Sequence, residues 1–429
     1  MNTLIVIFGK ILSNAIRMLN LGNGSTWPGH IALLLNKNFV SDLIDREKTK
    51  VIFVTGTNGK TTTAKLIKTI LVNNKKTAFV NKSGANLLNG IASSLIFEAN
   101  FLGKINSNYA IFEIDENALY GVAKAISPDY VIALNLFRDQ LDRYGEINTI
   151  IKNWKNIYNT LKDHTIFILN ADDPQIAYLG LGKEMRTLYF GLNDVRLKSE
   201  IHQRAADSIL CPRCLAKLIF NPTYYSHLGN WSCPNCKLKR PKLNIEKSNI
   251  YPLEGIYNMY NVLATVLLAK DLGIKSSKID SSLKEFKPAF GRQETLTVDK
   301  KKVKFFLAKN PTSFNESLKT IRDAKAKNLF IILNDRIPDG TDVSWIWDID
   351  FEILLDPKTN ITISGDRTYD MALRLKYADV NKNYKADNNL KTAVDSALSC
   401  TQNDETLYIL PTYSAMLEVR KLLTGKKIL

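Results

Sequence analysis

A chain of 429 residues, 45% apolar and 23% charged, can bury sizeable cores, and its length suggests two to three domains and excludes a disordered or fibrous polypeptide. A formal net charge of +16 favours anionic partners, among them a nucleotide, a nucleic acid, an acidic protein or an anionic lipid surface, although lysines spread over solvated helix faces give the same figure. The apolar run from Leu4 to Leu19 is broken by Lys10 and Arg17 and so lacks the roughly twenty apolar residues of a membrane span. It has neither a basic stretch ahead of it nor a small-residue cleavage site, so it does not read as a signal peptide and a cytosolic protein is expected. Residues 1–45 are expected to form a helical segment packed on the domain that follows, with an amphipathic helix at a membrane surface as the alternative.

Gly22-Asn23-Gly24-Ser25-Thr26-Trp27-Pro28-Gly29 is a turn-rich loop. The stretch Val51-Ile52-Phe53-Val54-Thr55-Gly56-Thr57-Asn58-Gly59-Lys60-Thr61-Thr62-Thr63 then reads as a buried strand, a tight glycine turn and a helix start. Such a turn converges backbone N–H groups on one small space, where the helix dipole, the Lys60 ammonium and the Thr61 hydroxyl can meet a triphosphate and its Mg2+. Gly56, Thr57, Asn58, Gly59, Lys60, Thr61 and Thr62 are therefore the candidate ATP residues. Val54 stands where the strict Walker pattern has its first glycine, so the loop is a variant. An ordinary strand-to-helix turn is the alternative, with Gly56 and Gly59 serving backbone conformation alone.

Beyond the loop, Thr77–Val80, Ala110–Ile114, Tyr130–Leu134, Thr165–Leu169 and Thr187–Phe190 are short β-branched or aromatic runs separated by helical spacing. The alternation predicts a parallel, doubly wound sheet in an α/β domain over 46–290, whose ligands collect at the carboxyl ends of the strands. Polar residues stand at those ends: Glu113-Ile114-Asp115-Glu116, Asn135 and Asn170-Ala171-Asp172-Asp173-Pro174. Each acid could equally cap the next helix.

Cys211-Pro212-Arg213-Cys214 and Cys233-Pro234-Asn235-Cys236 form two knuckles whose thiolates can close a tetrahedral Zn2+ shell, as in zinc ribbons, within an insertion over about 205–240. Two disulfides are the competing reading, less suited to a cytosolic chain. Cys400, in a helical run, is expected to be buried. From Gly291-Arg292-Gln293-Glu294 onward a second alternating series, Val303–Ala308, Leu329–Leu333, Phe351–Leu355, Ile361–Ile363 and Leu407–Leu410, predicts a Rossmann-like domain over 291–429.

The loop Gly-Thr-Asn-Gly-Lys-Thr-Thr resembles that of the Mur ligases and folylpolyglutamate synthases, which activate carboxylates with ATP. On this resemblance Glu113 corresponds to the strand-end glutamate that binds magnesium with Thr61. Asn135-Leu136-Phe137-Arg138-Asp139-Gln140-Leu141-Asp142-Arg143-Tyr144-Gly145 is similar to an Asn-x-x-x-Asp-His-Leu-Asp segment, with Gln140 in place of histidine. Asn170–Pro174 matches Asn-x-Asp-Asp. Gly255-Ile256-Tyr257-Asn258-Met259-Tyr260-Asn261 matches a helix start whose Asn258 faces the adenine, and Arg292 of the hinge would reach the phosphates. Lys309-Asn310-Pro311 sits where the family's Asp-Tyr-Ala-His-Asn-Pro would be, with Phe306 in place of the aspartate. An ATPase of this kind with a four-cysteine insertion looks like the MurT family over nearly the whole chain. The resemblance implies amidation of the α-carboxylate of D-glutamate in the lipid II stem peptide, with ammonia from a separate GatD-like glutaminase. It further implies that an aspartate of the last domain orients the glutaminase histidine. Asp348, beside Trp345 and Trp347, is the choice, with Asp339 and Asp342 competing and a helix cap as the alternative.

Chemistry supports such a division of labour, because a resident glutaminase needs a cysteine nucleophile with a histidine base. Four of the five cysteines sit in the knuckles, and Cys400 lies in a helical run without a glycine elbow. An amino-acid-adding ligase of the same superfamily and a nucleic-acid-binding ATPase remain as alternatives. For the latter, Tyr224, Tyr225 and Trp231 lie between the knuckles; such residues more often pack a ribbon's small core.

Overall fold

The computed structural model describes residues 1–18, 26–44, 48–81, 84–138, 147–161, 164–181, 186–199, 207–379 and 384–425. Gly22–Ser25 of the turn-rich loop, Asp139–Gly145 with Gln140, and 205–206 at the start of the insertion lie outside them.

Strands β1 (Lys50–Thr55), β2 (Ala78–Val80), β3 (Tyr109–Ile114), β4 (Tyr130–Ala133), β5 (Ile166–Asn170) and β6 (Thr187–Phe190) form one sheet in the order β2-β3-β1-β4-β5-β6, with every pairing parallel. Their near-continuous apolar composition suits a sheet covered on both faces. Val51 and Phe53 of β1 belong to one buried cluster and Ile52 and Val54 to another, as a pleat with a period of two requires. The helix after β1, Lys60–Asn73, packs on the second face with Ile256–Asp271 and Ser276–Lys284. Helices Leu88–Glu98, Leu119–Ala125, Ile147–Thr160 and Pro174–Leu179, which follow β2, β3, β4 and β5, cover the first. The chain therefore leaves β1 toward one face and its neighbours β3 and β4 toward the other. The opening this creates at the end of β1 is the topological switch point where such sheets bind ligands.

Helices Asn2–Met18, Trp27–Leu35 and Phe39–Leu43 pack against Leu88–Glu98. Contact is closest at Gly29, where a Cβ would lie 2.0 Å from the Asn89 carbonyl oxygen and whose N–H donates to the Ser93 hydroxyl at 2.8 Å. The knuckle segment carries a hairpin, β7 (Ile219–Tyr225) and β8 (Leu228–Ser232), set into the core of this domain. Trp231 donates its indole N–H to the Ala171 carbonyl at 2.9 Å, and Tyr225 meets Tyr260 edge to face at 5.7 Å. Tyr224, Tyr225 and Trp231 are buried, so they offer no stacking surface to a nucleic acid.

A second sheet has the order β13-β12-β11-β14-β10-β9, built from β9 (Arg292–Val298), β10 (Lys301–Phe306), β11 (Asn328–Ile332), β12 (Asn360–Ser364), β13 (Tyr384–Ala386) and β14 (Thr406–Pro411). It is parallel except for β9, which returns antiparallel to β10 at the edge. Two of the sequence expectations fail here. Phe351–Leu355 is not a strand: Phe351–Leu354 forms one helical turn. Phe351 and Leu354 are buried three positions apart while Glu352 and Ile353 face out, a helical period, and the turn is pinned because Asn315 donates to the Asp350 carboxylate (2.9 Å) and accepts its N–H (3.0 Å). Cys400 is exposed, not buried, at the last position of the helix Leu390–Cys400. The edge strands β9 and β13 escaped the sequence reading because each is open to solvent and lacks a continuous apolar run.

Candidate active site

After Thr55 the chain turns through Gly56 (φ +135°) and Gly59 (φ +93°), conformations that side chains disfavour. Space forbids them as well, since a Cβ on Gly59 would lie 2.2 Å from Asn261 Oδ1. Asn135, just beyond β4, holds the loop from behind. Its Oδ1 accepts the Asn58 N–H at 2.8 Å, its Nδ2 donates to the Asn58 carbonyl at 3.0 Å, and its own carbonyl accepts the Thr57 N–H at 3.0 Å. The Thr57 hydroxyl is locked to the Phe137 backbone, donating to its carbonyl (3.1 Å) and accepting its N–H (3.0 Å). No side chain caps Gly59, which leaves the first-turn N–H groups of Lys60–Asn73 to an anion.

The loop opens into a cavity of about 540 Å³. Thr57, Asn58, Gly59, Lys60, Thr61, Thr62, Glu113, Asn258 and Arg292 all line it, joined by Lys309, Ile337 and Tyr413. The walls are thus the carboxyl ends of β1 and β3 on one side and of β10, β11 and β14 on the other. Gly56 shapes the loop from beneath.

Charge is concentrated at its floor. The Thr61 hydroxyl donates to Glu113 Oε2 at 2.8 Å, and Asn81 fixes the Glu113 backbone through bonds of 2.7 and 2.9 Å. Burial pushes the Glu113 carboxyl up, opposed by the Thr61 bond and by the charges of Arg292 and Lys60. Glu116 is equally buried, yet Lys60 and Lys309 outweigh the burial and hold its carboxyl below the usual range. Lys60 Nζ lies 3.0 Å from Glu116 Oε2 and 2.6 Å from the Gly56 carbonyl. Burial lowers Arg292, with the charge of Glu113 working against it. A hard cation has a hydroxyl and a carboxylate to bind here, and a polyphosphate has Lys60, Arg292 and the loop amides.

The opposite wall is rigid. Asn258 donates to the Glu254 carbonyl at 2.7 Å and accepts from Asn261 at 3.1 Å. Gln293 donates to the Glu254 carbonyl and the Tyr257 hydroxyl, each at 2.8 Å, and accepts the Glu254 N–H at 2.9 Å. Asn310, the cap of helix Pro311–Asp323, reaches Asn58 of the loop at 3.2 Å. Nothing local in the sequence marks Glu116, Gln293, Asn310 or Asn81, because each has its partner tens or hundreds of positions away. The two acids of Asn170–Pro174, by contrast, do not reach the cavity. Asp173 caps Pro174–Leu179 and accepts the Leu136 N–H at 2.9 Å. Asp172, pushed up to about 6 by burial, accepts from Arg240 (2.8 Å), Tyr260 (2.7 Å) and the Leu192 N–H (2.9 Å).

Cys211, Cys214, Cys233 and Cys236 stand apart from the cavity, with their sulfurs all within 4.8 Å of one another. Separations of 3.6 Å (Cys211 to Cys236) and 3.5 Å (Cys214 to Cys233) approach the ~3.8 Å edge of a tetrahedron with Zn–S bonds of about 2.3 Å. Both knuckles are built alike: the residue after each second cysteine, Leu215 and Lys237, adopts positive φ, and the Cys211 and Cys233 N–H groups donate to the Ala216 and Leu238 carbonyls. All four are unbridged and gathered at one point, an arrangement compatible with zinc.

Asp348 is not at the cavity. It closes the short 3-10 turn Ser344–Asp348, about two-fifths exposed, with Oδ2 3.5 Å from Arg138 Nη2; the Arg138 Nε also meets Asp207 at 2.5 Å. Trp347 beside it is exposed and packs edge to face on exposed Tyr377 at 5.6 Å. Asp339 is buried and accepts from the Ser414 N–H at 2.8 Å, and Asp342 accepts the Ser344 N–H at 2.8 Å.

Two family descriptions match this chain: the Mur ligase middle domain over residues 54–269 and the MurT ligase C-terminal domain over 307–416. The chain is 33% identical over 431 aligned residues to the lipid II isoglutaminyl synthase (glutamine-hydrolyzing) subunit MurT of Streptococcus pneumoniae R6, covering 95% of this chain and 94% of that one. Against the subunit of the same name from Staphylococcus aureus COL the identity is 32%, covering 83% and 84%. Among solved structures, a pseudomurein peptide ligase type C from Methanothermus fervidus superposes with a TM-score of 0.66 at 24% identity, over 90% of this chain and 80% of that one, a likeness of fold.

Because Asn135 alone satisfies both backbone groups of Asn58, Asn135→Ala is expected to loosen the loop at a cost of about 1–3 kcal/mol. Hydrogen exchange at the Thr57 and Asn58 amides should accelerate well ahead of the β1 amides; equal protection in both proteins would contradict the clamp.

Proposed function

This chain belongs to the MurT family of Mur-ligase-like subunits, and from that premise we propose that it amidates the α-carboxylate of D-glutamate in the lipid II stem peptide, giving D-isoglutamine, with ATP as the activating substrate. The observation that carries the reading is the meeting of loop amides, Lys60, Thr61, Glu113 and Arg292 in one cavity between two parallel-strand ends. A carboxylate resists ammonia. Its oxygen must first attack the γ-phosphorus and release ADP, giving an acyl phosphate; ammonia then attacks the carbonyl carbon and expels phosphate, and the nitrogen sheds a proton to solvent. Lys60 and Arg292, which line the cavity, are assigned to the charge that develops on the transferred group, and Asn258, also in the lining, is assigned to the adenine. Mg2+ held by Thr61 and Glu113 would neutralise phosphate charge when bound. The domain division we adopt is a helical segment over 1–45, an ATPase domain over 46–290 and a C-terminal domain over 291–429.

Ammonia in this proposal comes from a separate GatD-like glutaminase. Among the described residues Cys400 makes no hydrogen bond to a histidine, and the other cysteines are gathered in the cluster. Asp348, exposed beside Trp347, is the carboxylate we assign to the partner's histidine, holding its imidazole in the right tautomer. Arg138 Nη2, 3.5 Å from its Oδ2, orients it meanwhile. Zn2+ in the cysteine cluster would be structural, with no open position for chemistry. Among the described residues no helix is long and apolar enough to cross a membrane; we place the protein in the cytoplasm, at the inner membrane face where lipid II is found.

Three outcomes follow. Lys60→Ala should lower ADP release with ammonia and lipid II by at least about a hundredfold in a protein that still folds, at a lowered melting temperature because buried Glu116 loses its partner; retained turnover would sink the assignment of the loop. Freshly purified protein should contain one zinc per chain, and chelation should expose four alkylatable thiols and destabilise the hairpin; less than half an equivalent, with the thiols already reactive, would contradict the closed site. Asp348→Asn, in complex with the glutaminase, should spare ammonia-driven amidation and cripple glutamine-driven amidation. Equal loss from both nitrogen sources would move Asp348 into the ligase site, and no loss would make it structural.

A further inference from the structure

A surface helix normally turns a polar face to solvent. Two helices at the start of this chain do not. Asn2–Met18 buries Ile5 and Val6 against the domain, yet Leu4 (72% exposed), Phe8 and Ile11 (61%) repeat at helical spacing along its outer side. Trp27–Leu35 buries Ala32, while Trp27 (63%), Leu34 (71%) and Leu35 form an outer stripe of their own. The loop after Leu88–Glu98 continues the surface with exposed Phe101 and Leu102. It is tied to the first helix, since Thr3 donates to the Leu102 carbonyl at 3.2 Å and the Lys10 ammonium lies 2.5 Å from the Ala99 carbonyl and 5.2 Å from the Phe101 ring. Large apolar side chains from three segments thus share one region, far more than scattered surface hydrophobics.

The charges around it select the occupant. Lys10, exposed Lys37 and exposed Lys104 stand among these segments, against the exposed acid Asp42, whose carboxylate accepts from Asn36 at 2.8 Å. The acid nearest the loop in sequence, Glu98, is engaged by the Ser107 hydroxyl at 2.6 Å. An apolar face bordered by more cations than anions would repel its own copy across a two-fold axis, but it fits an anionic bilayer, with Trp27 at headgroup depth. Geometry links it to the cavity: Leu87, at the N-terminal end of Leu88–Glu98, lines the cavity, and that same helix of about 16 Å carries the apolar helices on its flank.

We propose that the outer faces of Asn2–Met18 and Trp27–Leu35, with Phe101 and Leu102, form a docking surface for anionic phospholipid bilayers. This deepens the reading of the cavity as a site for a lipid-linked carboxylate, because it brings the cavity to the membrane that holds the lipid tail. Flotation of the full chain with vesicles of equimolar phosphatidylglycerol and phosphatidylcholine, free of lipid II, tests it. The protein should float with these vesicles, less so as salt is raised, and stay behind with pure phosphatidylcholine. Phe8→Glu with Ile11→Glu should reduce flotation by about tenfold or more at an unchanged melting temperature, and Leu34→Glu with Leu35→Glu should do the same should the first pair fail to fold. Absence of the wild-type chain from the anionic vesicles, or undiminished flotation of folded variants, would overturn the proposal. So would a wild-type dimer in solution that the same substitutions dissociate, since a second copy would then own the surface. Neither result touches the amidation reading, which ADP release tests without vesicles.

Discussion

Everything around the cavity depends on the close approach of the Gly59 backbone to Asn261. With 2.2 Å between a hypothetical Cβ and Oδ1, only glycine lets the loop lie against the helix Ile256–Asp271. The same helix start carries Asn258 and Tyr257, which Gln293 grips from the hinge, and Asn310 reaches Asn58 from the last domain. One steric requirement in a turn thereby fixes the spacing between the loop, the helix that flanks it and the segment that leads into the second sheet.

The electrostatics follow from that spacing. Two buried glutamates a few residues apart are driven in opposite directions. Glu113, with a hydroxyl and more distant cations, is held up by burial, and Glu116, in contact with Lys60, is held down. A cation arriving at Glu113 would offset the burial that raises it, whereas at Glu116 the positive charge is already supplied by Lys60. Lys60 meanwhile rests on the Gly56 carbonyl and Glu116, close to where it would meet a phosphate.

The cysteine cluster acts at a distance from this chemistry. Its hairpin delivers Trp231 to the Ala171 carbonyl and Tyr225 to Tyr260, so folding of the knuckles is coupled to the end of β5 and to the helix that flanks the loop. Asp172, buried and bonded to Tyr260, Arg240 and the Leu192 N–H, joins the same three parts. A perturbed carboxyl at a strand end is here a structural joint, and its position outside the cavity lining separates it from Glu113, which its surroundings resemble.

The sequence by itself determined what short-range chemistry dictates. Gly56–Thr62 declared a glycine turn from strand to helix, the two Cys-Pro-x-Cys knuckles declared a four-sulfur cluster, and alternating apolar runs declared two parallel-strand domains, because each signal lies within one turn, one knuckle or one strand. It misjudged Phe351–Leu355, where an apolar run too short to separate periods of 2 and 3.6 became a helical turn once Asn315 held Asp350. It also took Cys400 for a core residue, though only the packing of its helix decides which face is buried. Residue chemistry left each strand-end acid a possible helix cap; the tertiary structure sends Glu113 to Thr61, the pairing the family resemblance implied, and Asp173 to a helix cap. It alone paired Lys60 with Glu116, Asn135 with the loop and Arg138 with Asp348, since such bonds join residues 56, 77 and 210 positions apart and the chain encodes them only through the fold that brings them together.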